Sequence, residues 1–189
     1  MSEHRHFILH KPHGYVCQFV HPVQKKKLLG ALYDFPEGTM AIGRLDEDSE
    51  GLLLLTTEGM MSEKVRSKKV EKEYYAQVDG LIDTAAVAQL KAGVEIGVKG
   101  TKYQTLPCEA FILKEAPEFE ARTKKIRDER HGPTSWVSII VNEGKFRQVR
   151  KMTAAVGFPT LRLIRVRVGA IHLHHLKAGE VIEVSDLEI

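Results

Sequence analysis

The chain has 189 residues, enough for one domain or two small subdomains that share a core. Its 43% hydrophobic and 28% charged residues describe a folded globular protein and exclude a disordered one. No apolar run approaches the roughly 20 residues of a membrane span. The opening MSEHRHFILHKP lacks the apolar stretch and cleavage site of a secretion signal. A cytoplasmic protein is expected. Cys17 and Cys108 then stand as reduced thiols, too few and too far apart for a disulfide framework or a zinc site.

The net charge of +3 is ordinary, but its distribution is not. From Gly144 to Gly179 there is no Asp or Glu, while Lys145, Arg147, Arg150, Lys151, Arg162, Arg165, Arg167 and Lys177 all fall there. Arg122, Lys124, Lys125, Arg127 and Arg130 precede that segment, and the acids gather earlier, around Asp34 to Glu63. Such asymmetry suits a surface that attracts phosphates, with a solvated charged face as the plain alternative.

Along the chain, Phe7 to His10 and Tyr15 to Phe19 read as strands around a KPHG turn, where Pro12 and Gly14 break the ladder. Lys26 to Tyr33 reads as a short helix closed by the Pro36–Gly38 turn, with Lys25 to Lys27 as its solvated start. TMAIG and GLLLLTT read as strands on either side of an acidic stretch, the second too apolar for an exposed strand. Glu58 to Arg66 looks helical, and Glu71 to Gly80 alternates as a strand. Asp83 is placed to cap a helix that Gly93 closes. Strands are expected at Val94 to Val98, Leu106 to Leu113 and Ser135 to Asn142, with Glu115 to Pro133 a long loop. Phe146 to Val156 reads as a helix with Phe146, Val149, Thr153 and Val156 on its apolar face. A strand over Leu161 to Gly169 and a terminal one near Val181 to Val184 complete an α+β chain with a mostly antiparallel mixed sheet flanked by helices.

The stretch GRLDEDSEGLLLLT, Gly43 to Thr56, joins a cluster of acids to four consecutive Leu. As a calcium loop it offers Asp46, Asp48 and Glu50, but the bidentate position holds Thr57 and the entering segment is strand-like. A paired-carboxylate hydrolase could use Asp46 and Asp48, but no aromatic-lined groove accompanies them. A solvated turn is the plainest reading, with Arg44 and the acids facing water, Gly51 permitting the bend, and Asp48, Ser49 and Glu50 shaping and solvating the turn. His172, His174 and His175 suggest a metal site only weakly, because no acid or Cys accompanies them.

GRLD followed by DSEGLLLLT resembles the signature of RNA pseudouridine synthases, in particular their RsuA branch. Other motifs follow in the family's order. HKPHGYV is similar to the opening K-P-x-G motif, with His10 where Asn is usual, and KEYYAQV resembles the K-x-Y motif. EGKFRQVRKM and LRLIRVRVG resemble the two closing motifs. Within the branch, PTSW and MTAAVGFPTLRLIR are most like members that modify 23S ribosomal RNA. The chain starts at the first motif, so the expectation is a single catalytic domain over 1–189, of two subdomains with a cleft between them and no S4-type domain in front.

The resemblance implies an rRNA-modifying isomerase with Asp46 as catalytic carboxylate, Tyr74 stacking on the target uracil with Leu163 beneath it, and Arg150 paired with the carboxylate. Arg44 is expected to replace the flipped base in its stack. Lys11, Arg147, Lys151 and Arg165 are the remaining substrate-binding candidates. Turning uridine into pseudouridine changes no oxidation state and moves no phosphate, so the reading needs no cofactor and no metal. The implied partner is large-subunit ribosomal RNA or a precursor ribosomal particle, met by a monomer away from any membrane. The alternative is an RNA-binding or ribosome-assembly factor that keeps the fold without the chemistry.

Overall fold

The computed structural model describes residues 3–20, 25–67 and 69–189. The chain forms two compact units, the first from Met1–Val70 and Arg165–Ile189, the second from Glu71–Ile164.

The first unit opens with β1 (His6–Lys11), β2 (Tyr15–Val16) and β3 (Lys27–Leu28), followed by a 3-10 turn at Leu29–Ala31. Then come β4 (Met40–Ile42), β5 (Glu50–Thr56) and α1 (Gly59–Ser67). β5 pairs antiparallel with β1, from His6 opposite Thr56 to Lys11 opposite Gly51, and with β4, which sets Ile42 opposite Leu54. Every residue of β5 is buried. That explains the Leu run: a strand covered on both faces has no reason to alternate. Phe7 anchors an aromatic cluster, with Phe35 at 5.3 Å edge-on and Tyr33 at 5.7 Å.

The expected helix over Lys26 to Tyr33 does not form. Lys27–Leu28 pairs parallel with Tyr15–Val16, and Leu29 N–H goes to Gln18 O at 3.2 Å, so only one 3-10 turn remains. The strand expected from Tyr15 to Phe19 shrinks to its first two residues for the same reason.

The second unit begins with β6 (Lys72–Asp79) and α2 (Thr84–Ala92). Asp83 accepts from Ala86 N–H and Gly93 ends α2 with φ 94, the cap and stop that the sequence signals. A hairpin follows, β7 (Glu95–Val98) and β8 (Thr101–Gln104). β8 was hidden in the sequence because its turn is Lys99–Gly100 rather than Asn-Gly, yet both residues take the positive φ that such a turn needs, 49 and 76. β9 (Glu109–Leu113), β10 (Thr134–Val141) and α3 (Gln148–Ala155) complete the unit, and β9 starts later than expected. β6, β10 and β9 pair antiparallel in that order. Alternation sends Ala76 and Val78 of β6, with Val137, Ile139 and Val141 of β10, into a core with Leu90, Val149, Met152 and Leu163.

The opposite face carries Tyr75 and Trp136, and the irregular 115–133 segment lies on it. Phe119 stands 6.4 Å from Tyr75 and 6.3 Å from Trp136, with the Arg162 guanidinium 5.9 Å from its ring. Arg127 fastens the same segment through an ion pair to Asp79 at 2.7 Å.

β11 (Thr160–Val168) contributes residues to both units, since the first resumes at Arg165. β12 (Ile171–His172), which the sequence reading missed, turns back on it, and β13 (Val181–Val184) pairs antiparallel with β1.

Candidate active site

In the first unit, the chain between β4 and β5 carries the acidic stretch. Leu45 is buried between exposed Arg44 and half-buried Asp46, so Asp46 is held by what grips its neighbours. Cys17 takes hold of Leu45 twice: the thiol donates to Leu45 O at 3.2 Å and accepts from Leu45 N–H at 3.3 Å. On the other side, Gly14 N–H donates to Glu47 O at 2.7 Å, and Lys26 pairs with the Glu47 carboxylate at 2.8 Å. Ser49 N–H closes a tight turn on Asp46 O at 3.0 Å. Ser49 and Glu50 are each only 2% exposed, which overturns the reading of these residues as a water-facing turn.

Two cations expected at the substrate face inward instead. Lys11 has no exposed surface; its ammonium donates to the carbonyls of Pro12 at 2.9 Å, Tyr15 at 2.7 Å and Glu47 at 3.4 Å. Burial lowers it from an ordinary 10.5 to about 8, against the pull of the surrounding acids. Arg165, also buried, donates from Nε to Leu52 O at 2.8 Å and from Nη1 to Arg44 O at 3.4 Å. Both side chains brace the backbone of the carboxylate loop and of β5. His10, in the place where Asn is usual, reaches Leu176 O with Nδ1 at 2.7 Å.

In the second unit, Tyr74 lies on the same face of β6 as Ala76 and Val78 and packs, half-buried, against the core that contains Leu163. Tyr75 takes the opposite face, under Phe119. The cations of EGKFRQVRKM are set by the entry to α3. Arg147 sits at the N-cap with φ 52, a left-handed conformation uncommon outside Gly and Asn. Arg150 is half-buried in the first turn of the helix, and Lys151 donates to Gly97 O at 2.7 Å. The helix starts at Gln148, so Phe146 lies outside it and is 66% exposed rather than on its apolar face.

What fixes this entry was not singled out in the sequence. The Glu143 carboxylate accepts from Tyr103 Oη at 2.5 Å, Leu106 N–H at 2.9 Å and Gln148 Nε2 at 2.6 Å. Partial burial opposes the charge, but the hydrogen bonds and the nearby Lys145 outweigh it and hold Glu143 below its usual range. The same bond raises the Tyr103 phenol. The Glu and Gln of the motif were the available signal: a carboxylate and an amide five residues apart at a helix start.

Among the described residues, no three His, Cys, Asp or Glu side chains are placed to hold a metal ion; His172 and His174 stack at 5.3 Å. Among them, too, no helix is long and apolar enough to cross a membrane.

Held carboxylate, core-packed tyrosine and cation-bearing helix occupy the positions of the motifs quoted above, and the chain belongs to the RNA pseudouridylate synthase family, whose model matches residues 5–155. It has the α+β fold of these isomerases: a solved pseudouridylate synthase superposes with a TM-score of 0.77 at 26% identity, over 97% of this chain and 71% of that one. It is also similar to ribosomal large subunit pseudouridine synthase E of Vibrio vulnificus, 37% identical over 98% of this chain and 77% of that protein. The protein of the same name from Xanthomonas campestris is 38% identical, over 92% of this chain and 91% of its own length.

Proposed function

We propose that this enzyme isomerises one uridine of large-subunit ribosomal RNA to pseudouridine, with Asp46 as the reacting carboxylate. The observation that carries the substrate class is the likeness, along nearly all of this chain and 77% and 91% of theirs, to two relatives named for the large ribosomal subunit. In the reaction the C1′–N1 bond breaks, the uracil turns, and a C1′–C5 bond forms; C5 gives up a proton and N1 gains one, so atoms and electrons balance. The residues must supply a carboxylate fixed in place and a ring on which the extruded base can rest.

The bonding around Asp46 supports that assignment. Cys17 fixes the residue before it, and Gly14, Lys11 and Lys26 fix the residue after it. A reacting group gains from such a mount, since misplacement by about 1 Å can lower a rate on the order of a hundredfold. Tyr74 then provides a ring for the uracil over Leu163, Arg44 fills the space the base leaves, Arg150 serves the reacting carboxylate, and Arg147 and Lys151 meet the anionic substrate. The reading places the enzyme in the cytoplasm as a monomer acting on the rRNA or a precursor particle.

Asp46→Asn should make no pseudouridine in a ribosomal RNA transcript while binding it as the native chain does; an active Asn variant sinks the assignment. Arg150→Ala separates two roles. A lower single-turnover rate at retained affinity assigns Arg150 to the chemical step, and weaker binding with a shallower salt dependence assigns it to phosphate. Carbodiimide mapping of rRNA from cells lacking the gene should show one lost stop in the large subunit.

A further inference from the structure

Phe146 is a large apolar side chain left 66% exposed, yet the residues on either side of it in the chain are hydrogen-bonded in place. Upstream, Glu143 is tied to Tyr103, Leu106 and Gln148. Beside it, Lys145 N–H donates to Gln148 Oε1 at 3.1 Å and Lys145 O accepts from Gln148 N–H at 3.1 Å. Downstream, Arg147 O accepts from Lys151 N–H at 3.1 Å as α3 begins. The ring is therefore presented to solvent on a fixed mount. A fixed aromatic loses little conformational entropy when something stacks on it.

Its surroundings are cationic. Lys151 Nζ stands over the ring, 5.2 Å from the centroid, while donating to Gly97 O, and Lys145 Nζ stands 4.8 Å from the Tyr103 ring. Arg147 follows directly. No acid occurs from Gly144 to Gly179, Glu143 is engaged by its three donors, and Glu95 pairs with Lys102 at 3.5 Å. An apolar protein surface would not call for a cation over the ring and one on either side of it in the chain. A nucleobase with a phosphate on either flank does.

We propose that Phe146 is a stacking platform for an unpaired base of the RNA other than the target uracil, with Lys145 and Arg147 taking the adjoining phosphates. A base inside a helix already has both faces stacked, so the contact selects RNA that offers a looped-out or single-stranded nucleotide there. This rests on the proposed function for the identity of the RNA and adds a determinant of which RNA is accepted.

The test is binding of a protein-free large-subunit rRNA transcript, and of a fully duplexed RNA of equal length, by the full chain and by Phe146→Leu, Phe146→Tyr and Phe146→Trp. Leu keeps the apolar volume and removes the π face. Expected is a rise of roughly tenfold in Kd for the transcript with Leu, near-native Kd with Tyr and Trp, no change for the duplex, and an unchanged salt slope. A native Kd for the Leu variant overturns the inference, as does equal weakening by Leu, Tyr and Trp, or equal weakening on duplex. A loss seen only on a protein-bearing precursor particle overturns it in favour of a protein contact. Absence of pseudouridine from the native enzyme would instead strike the proposed function, and native pseudouridine formation with a native Kd for Phe146→Leu would strike this inference alone.

Discussion

Gly51 and Arg165 pass so closely that a Cβ on Gly51 would stand 2.2 Å from Arg165 O and 2.7 Å from Arg165 N. Both opposing atoms are backbone, so neither can swing aside, and Gly51 also has φ +107. The junction of acids and leucines thus needs Gly for close approach as well as for its conformation. Gly51→Ala should destabilise the fold by on the order of 3–5 kcal/mol. Gly43→Ala is the control: φ is +71 there but no atom lies within 4 Å, so about 1–2 kcal/mol is expected. Denaturant melts of the two variants should differ accordingly, and equal midpoints would refute the close-approach account.

Lys11 makes a second prediction, this time of pH dependence. The folded chain releases the Lys11 proton near pH 8, while an unfolded chain keeps it to about 10.5. Unfolding therefore takes up a proton between those values, and the stability due to this group rises with pH across that window, by about 3 kcal/mol at most. Lys11→Met should remove that slope, seen as a difference in melting free energy that changes from pH 8 to 10.5. At pH 7 the variant leaves three carbonyls without their donor, at a cost of about 1–3 kcal/mol, and pseudouridine formation should fall with it. Parallel pH–stability curves would show that the ammonium is not buried as described.

Lys11 and Arg165 also mark the limit of what the sequence could reveal. β5 was legible because a strand covered on both faces demands an unbroken apolar run, and α2 because Asp83 and Gly93 announce its ends. The carboxylate loop was legible as a motif. The direction of the cations beside it was not, because whether a Lys meets a phosphate or three carbonyls depends on where distant turns converge. Local pattern likewise misjudged Lys26 to Tyr33, where pairing with Tyr15–Val16 takes up the backbone donors that a helix would use. Phe146 kept helical spacing with Val149 but fell outside α3, since Arg147 turns left-handed just before the first helical residue.

The two thiols should behave differently. Burial and the acids Glu109 and Glu143 push Cys108 up to about 11, and its Sγ donates to Leu90 O at 3.2 Å, so at pH 8 it should resist alkylation. Cys17 matters through Leu45, the residue before Asp46, whose backbone N–H and C=O it both holds. Cys17→Val removes both bonds at similar volume; stability should drop by only about 1 kcal/mol, while the single-turnover rate falls at least tenfold with RNA affinity kept. Cys17→Ser, which can still donate and accept, should recover part of the rate. If Val and Ser variants turn over at the native rate, the Leu45 clamp does not position Asp46.

Glu143 gives the last prediction, because one carboxylate there joins β8, the strand-side loop at Leu106 and the start of α3. Glu143→Gln puts an amide nitrogen among three donors, so at least one of them loses its acceptor, at a cost of about 1–2 kcal/mol. The entry to α3 should then loosen, and with it the placement of Arg147, so RNA binding should weaken even though Glu143 itself repels phosphate. Removing a negative charge for electrostatic reasons alone would tighten binding instead, which makes the direction of the change decisive. Because Glu143 is held below its ordinary 4.5, the stability it confers is present above that pH and is lost as the pH falls through the lowered value. The native chain and Glu143→Gln should therefore differ in melting temperature at pH 7 and converge in acid. A constant difference down to pH 3 would mean that the variant acts through packing and not through the ionised carboxylate.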